Sequence, residues 1–96
     1  MKIEVLEIRP LNGERPLKAF IDIKLDGLII REFRLIKENG KRPWIASPQI
    51  SWKDIDGVVK YKTVVTLPDE VKGAIDLAIL QAFAGQMEKK DGHQSQ

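Results

Sequence analysis

The 96-residue sequence contains no cysteine, which excludes disulfide bonds and thiolate chemistry and is compatible with a reducing cytosol. No apolar run approaches the roughly 20 residues that a membrane-spanning helix needs. The amino terminus carries an acid at Glu4 and lacks the long apolar core of a signal peptide. We therefore expect a small cytoplasmic domain over residues 1–85, followed by a disordered polar tail over residues 86–96.

Residues that commonly carry catalysis are scarce. The single histidine, His93, falls in the predicted tail, where it would lack the fixed geometry that a ligand or general base requires. Asp54 and Asp56 have a spacing that a hard cation could use, but without further ligands two solvated loop acids are the favoured interpretation. There is no glycine-rich phosphate loop, nucleophile elbow or Cys/His metal pattern. The sequence predicts a protein that is not an enzyme, with no cofactor, metal or small-molecule substrate.

The strongest positive signal is a β-hairpin in the first half of the chain. Apolar and polar residues alternate from Leu17 to Leu25, and a second apolar run spans Leu28 to Ile36. The Asp26-Gly27 pair between them suits a type I′ turn, in which both central residues have positive φ. This register predicts that Asp22 faces Arg31, a favourable cross-strand pair.

The same register distributes large apolar residues over both faces of the hairpin. One face is predicted to carry Ile21, Ile23, Leu25, Leu28 and Ile30, and the other Phe20, Ile29, Phe33 and Leu35. A chain of this length has one core, which covers one face. The second face therefore predicts a homodimer interface formed by Phe20, Ile29, Phe33 and Leu35.

The remaining pattern predicts an α+β fold: an antiparallel sheet of four to five strands with one C-terminal helix packed on it. The first strand begins at Lys2, with a β-bulge near Leu6 where the apolar phase slips. Asn39-Gly40 predicts a second type I′ turn, which leads into a short strand over residues 42–47. Because Pro43 cannot donate a ladder hydrogen bond, this strand is predicted to lie at an edge or to contain a bulge. Residues 48–57 are interpreted as an excursion and residues 58–67 as the last strand. Helical spacing begins at about Pro68 and ends near Gly85.

Basic and aromatic residues concentrate in the middle of the chain. Six of the 16 Lys and Arg residues lie between positions 37 and 62, against three acids, and half of the six aromatic residues lie there too. Charge for phosphates and flat rings for bases are what a nucleic-acid surface needs. Trp44 and Tyr61 could equally be core residues, whereas Trp52 is expected to be exposed. The candidate contacts are Lys41, Arg42, Trp52, Lys53, Lys60 and Lys62.

The order of several motifs resembles the SpoVG family (stage V sporulation protein G, putative septation regulator) over roughly residues 8–83. The segment Leu17-Lys18-Ala19-Phe20-Ile21-Asp22-Ile23 carries the resemblance first. Phe33-Arg34-Leu35-Ile36 then resembles the family's Leu-Arg-Val-Ile, and Ala46-Ser47-Pro48 its Ala-Met-Pro. A glycine before a basic strand and a proline-led helix follow in the same order.

This resemblance implies a small cytoplasmic bacterial homodimer that binds DNA or RNA and regulates septation and developmental gene expression such as sporulation. It adds Arg34 to the nucleic-acid-binding residues, because Arg34 matches the arginine of the third-strand motif, and it gives Lys60 the role of the basic strand residue. Gln49-Ile50-Ser51 stands where the family commonly has Ser-Lys-Arg, so two positive charges are missing. Lys41, Arg42 and Lys53 are the candidates to replace them.

Two functional hypotheses follow from the sequence. The first is a dimeric nucleic-acid-binding regulator, and the second is a dimeric protein-interaction module without affinity for nucleic acid. Salt dependence separates them, because phosphate contacts release counterions on binding.

Overall fold

A computed structural model describes the backbone of residues 1–94 and the side chains of residues 1–86. Its elements in chain order are β1 (Ile3–Pro10), β2 (Leu17–Leu25), β3 (Leu28–Ile36), β4 (Trp44–Ala46), β5 (Gln49–Lys53), β6 (Val59–Thr63) and α1 (Asp69–Gln94). Strands β1 to β4 form an antiparallel sheet in chain order, and β5 pairs with β6 in a separate two-stranded sheet. The predicted α+β fold with an antiparallel sheet and a C-terminal helix is confirmed.

Two of the predicted turns can be judged from their backbone angles. Asp26 and Gly27 both have positive φ, 47° and 89°, as a type I′ turn requires, so the hairpin is confirmed. At the second turn Gly40 has a φ of 75° and the Lys41 N–H donates to the Glu38 carbonyl at 3.1 Å, but Asn39 is not in the positive region. This combination is a type II turn, so the type I′ prediction at Asn39-Gly40 is wrong.

β-Bulges decide which residues share a face of the sheet. The register of β1 against β2 shifts between Val5 and Glu7, which confirms the predicted bulge near Leu6. A second shift lies in β3, where Arg31 and Glu32 together stand opposite Asp22. Glu32 takes a φ of 68°, and its N–H donates to Asp22 Oδ1 at 3.1 Å. This hydrogen bond holds the extra residue in place.

The bulge in β3 overturns the predicted assignment of faces. Phe33 pairs with Ile21 rather than Phe20, so Phe33 and Leu35 lie on the same face as Ile23. Phe33 has none of its surface exposed and Leu35 only 1%. Both are therefore core residues, and the prediction that they form a dimer interface is wrong. Of the four predicted interface residues, Phe20 is half-buried and Ile29 is exposed.

Helix α1 packs on the inner face of the sheet. It contacts β1 and β4, and its fully buried Ile75 and Ile79 join the core. The core consists of Ala19, Ile21, Ile23, Ile30, Phe33, Leu35, Ile45, Ile75 and Ile79. Lys72 anchors the first turns, because its Nζ donates to the Ile45 carbonyl at 2.8 Å and to Asp76 Oδ1 at 2.6 Å.

The helix begins where the sequence predicts but extends beyond its predicted end. Asp69 and Glu70 occupy the first turn, where acids favour the helix dipole, as predicted. The helix does not end at Gly85: the segment predicted as a tail over residues 86–96 is helical as far as Gln94, and residues 95–96 lie outside the described part. β4 lies at the edge of the sheet, one of the two predicted alternatives, and begins directly after Pro43. Within the described residues, no helix is long and apolar enough to cross a membrane.

Candidate nucleic-acid interface

Strands β5 and β6 form a two-stranded ribbon, which we call the ribbon throughout. β5 lies in the segment predicted as an excursion, and β6 lies within the predicted last strand over residues 58–67. The antiparallel register pairs Ile50 with Lys62, Ser51 with Tyr61 and Trp52 with Lys60. All ten residues of its two strands are exposed. A two-stranded ribbon is only marginally stable by itself in water. A ribbon that is exposed on both faces is therefore expected to be stabilised by a binding partner.

Cross-strand pairing gives the ribbon two chemically different faces. Because side chains alternate, Ile50 and Trp52 share one face with Lys60 and Lys62, which we call the basic face. Tyr61 and Val59 lie on the other face, the tyrosine face, together with Lys53. The two strands contain three lysines and no acid. The predicted contacts Trp52, Lys60 and Lys62 are thus brought together, and Lys53 is separated from them.

The aromatic residues of this region are exposed rather than buried. Trp52 is 44% exposed, as expected from the sequence, and Tyr61 is 65% exposed. Trp44, at 53% exposure, lies on the edge strand β4 and not in the core. Rings that retain this much accessible surface can stack on bases or on another protein.

The turn of the ribbon is built around Asp54. Its Oδ1 accepts the N–H groups of Asp56 and Val58, each at 2.9 Å, and its Oδ2 lies 3.4 Å from Lys60 Nζ. These interactions, chiefly the Val58 N–H, hold the pKa of Asp54 below its ordinary value. Asp54 is therefore not the solvated loop acid that the sequence predicted but has a structural role in the turn, whereas Asp56 is exposed.

Arg34 connects the sheet to the ribbon. It lies on the outer face of the sheet, opposite to α1, and its Nη2 donates to Gln49 Oε1 at 2.8 Å. Among the described residues, its buried Nε has no hydrogen-bond partner. The Val64 N–H closes the base of the ribbon by donating to the Pro48 carbonyl at 3.1 Å. Arg34 is thus placed to hold the ribbon's base rather than to project into solvent.

The remaining predicted contacts, Lys41 and Arg42, lie in the connection between β3 and β4. Lys41 Nζ is 3.0 Å from Glu38 Oε2, and both lysine and arginine side chains are exposed. No hydrogen bond or ion pair among the described residues joins this turn to the ribbon. The structure therefore gives two separate basic regions where the sequence suggested one.

A second charged cluster lies on the outer face of the main sheet, centred on Asp22. The Asp22 side chain is only 3% exposed and accepts hydrogen bonds from Arg9 at 2.9 and 3.1 Å and from Arg31 at 3.1 Å. Arg9 also pairs with Glu7 and Glu32. The hydrogen bond from Arg9 lowers the pKa of Asp22 and raises that of Arg9.

The predicted Asp22–Arg31 pair is confirmed, but Arg9 is the stronger partner and was missed. The signal that could have revealed the bulge is the adjacent polar pair Arg31-Glu32, which interrupts the alternation between Ile30 and Phe33. The cluster fixes β3 to β2 and β1, so its role is structural.

Comparisons with protein-family models, with curated proteins and with solved structures found no match to this chain. The resemblance to the SpoVG family stays a prediction from the motifs.

Proposed function

We propose that this protein is a small, dimeric, cytoplasmic regulator that binds DNA or RNA through the ribbon, in the manner that its resemblance to the SpoVG family implies. The observation that supports this most is the basic face, where exposed Trp52 stands opposite Lys60 and Ile50 opposite Lys62. Links to septation and developmental gene expression belong to the same proposal.

The shape of the ribbon suits this role. The major groove of DNA admits a two-stranded β-ribbon, and a lysine-lined strand pair supplies charge for the flanking phosphates. Trp52 would contribute a stacking surface for an unpaired base. Lys41 and Arg42 would extend the basic surface, whereas Lys53 lies on the opposite, tyrosine face of the ribbon.

We further propose that a second copy of the chain covers the tyrosine face. Val59 and Tyr61 expose apolar surface there, and Ile55 in the turn of the ribbon is 100% exposed. Such surface favours a protein partner, and closed two-fold association is the commonest way in which a small chain covers it. This assignment replaces the interface predicted from Phe33 and Leu35.

The nucleic-acid proposal is tested by fluorescence anisotropy with labelled DNA and RNA across salt concentrations. The double variant Lys60→Gln, Lys62→Gln is expected to bind more weakly and to lower the slope of log affinity against log salt by about one to two units. Lys62 should release about one counterion on binding, and Lys60, which lies 3.4 Å from Asp54, should release less. Lys41→Ala, Arg42→Ala is expected to have a smaller effect, since no hydrogen bond or ion pair among the described residues joins that turn to the ribbon.

The matched control is Lys2→Gln, Lys24→Gln, which removes the same charge near the Asp26-Gly27 end of the sheet, away from the Arg34–Gln49 contact. It should leave the salt slope close to that of the wild type. Equal losses of affinity in the two double variants would show that net charge alone drives binding, which would contradict the assignment to the basic face. Absence of binding to DNA and RNA at low salt would reject the proposal and leave the protein-interaction module as the function.

The dimer is tested by light scattering at micromolar concentration. Tyr61→Asp is expected to yield a monomer, because placing a charge in an apolar interface costs several kcal/mol, on the order of the burial penalty for an unpaired polar group. Lys62→Asp, on the opposite face of the ribbon, should remain dimeric. A monomeric wild type, or equal effects of the two changes, would contradict the assignment of the faces.

A further inference from the structure

A groove of about 420 Å³ opens on the side of the domain where the β1–β2 loop meets Phe83 of α1. Buried Leu35 and half-buried Phe83 line it from the core side, and Leu11 and Pro43 form its apolar walls. Its volume lies within the range of about 300–1,000 Å³ that small-molecule sites occupy.

The walls of the groove are tied together by backbone hydrogen bonds. The Leu11 N–H donates to the Lys18 carbonyl, and the Lys37 N–H donates to the Pro16 carbonyl, each at 2.8 Å. The loop is therefore fixed to both β2 and the end of β3. A groove whose walls are connected in this way is largely formed before a ligand arrives, which reduces the ordering cost of binding.

Two cations, Lys18 and Lys37, stand among the apolar residues that line the groove. Both side chains are half-buried, and no acid contributes to the lining. Lys18 Nζ donates to the Gly13 carbonyl at 3.4 Å and Lys37 Nζ to the Glu38 carbonyl at 2.8 Å. Among the described side chains, neither lysine forms an ion pair with a carboxylate. An anion in the groove would therefore have two lysine side chains in its lining, whose Nζ atoms bond only to neutral carbonyl oxygens among the described residues.

We propose that this groove binds a small amphiphile with an apolar body and a single carboxylate. The apolar part would lie along Leu35, Pro43 and Phe83, and the carboxylate would accept hydrogen bonds from Lys18 and Lys37. An apolar pocket with a few convergent polar groups is the usual form of a small-molecule site, and the two lysines select the anionic head. This site is separate from the ribbon and does not depend on the function proposed for it.

Isothermal titration calorimetry on the full chain tests the proposal with decanoate, used below the concentration at which it forms micelles, and with decanol as the neutral counterpart. Decanoate is expected to bind saturably and about tenfold more tightly than decanol, from two partly exposed ion pairs. Lys18→Gln, Lys37→Gln should reduce the affinity for decanoate by about tenfold and leave that for decanol unchanged.

Lys24→Gln is the matched control, because Lys24 is a β2 lysine that does not line the groove. It should bind decanoate as the wild type does. Nuclear magnetic resonance should place the largest ligand-induced shifts at Leu35 and Phe83, with none at the Asp26-Gly27 turn. Equal affinity for decanoate and decanol, an equal loss in Lys24→Gln, or shifts outside the groove would each overturn the proposal.

Discussion

Replacing Phe33 by alanine is expected to lower the free energy of unfolding by about 3–5 kcal/mol, the usual cost of removing a fully buried aromatic side chain. Phe33 has no exposed surface and lies between the sheet and the helix, in one cluster with Ile21 and Ile79. A loss of this size is a large part of the total stability of a small domain. Urea denaturation followed by circular dichroism measures it.

Phe20→Ala is the matched control for Phe33→Ala. Phe20 pairs with Arg34 on the outer face of the same two strands and is half-buried, so its removal should cost less than about 2 kcal/mol. Phe33→Leu, which retains most of the volume, should fold and keep the oligomeric mass of the wild type. If Phe20→Ala were the more damaging change, or if Phe33→Leu altered the oligomeric mass, the placement of Phe33 in the core would be wrong.

Replacing Asp22 by alanine is expected to destabilise the protein by about 3 kcal/mol at pH 7, because it removes the buried partner of two arginines. The Glu32 N–H would also lose its acceptor, which the bulge in β3 requires. Asp22→Asn retains an oxygen for that N–H and should cost about half as much. Asp56→Ala, at an exposed position in the turn of the ribbon, should change stability by less than about 0.5 kcal/mol.

The contribution of Asp22 should also show in the pH dependence of stability. Its pKa is lowered in the folded protein, chiefly by the hydrogen bond from Arg9, so the folded state favours the ionised carboxylate. This stabilisation is complete above the unfolded-state pKa of about 4 and is lost as the pH falls through the lower folded-state pKa. The difference in stability between wild type and Asp22→Asn should therefore be constant from pH 7 to 5 and narrow below about pH 4. If the stability difference between wild type and Asp22→Asn narrowed near neutral pH instead, the Asp22 carboxylate would not be its source.

The features of the fold that depend on neighbouring residues could be predicted from the sequence. The Asp26-Gly27 turn, the bulge near Leu6 and the start of the helix each depend on residues within a few positions of one another. Positive φ, a slip in alternation and acids in a first helical turn have local causes, and the sequence displays them.

Tertiary structure decided which faces are buried. A period of two assigns residues to faces only while the register is unbroken, and one extra residue at Arg31-Glu32 moved Phe33 and Leu35 into the core. The alternation of Val59, Tyr61 and Thr63 was read correctly as one face, but alternation does not say what covers that face. Strands β5 and β6 pair with each other instead of joining the main sheet, and their side chains are exposed. Burial depends on which distant elements pack together, and no local sequence pattern contains that information.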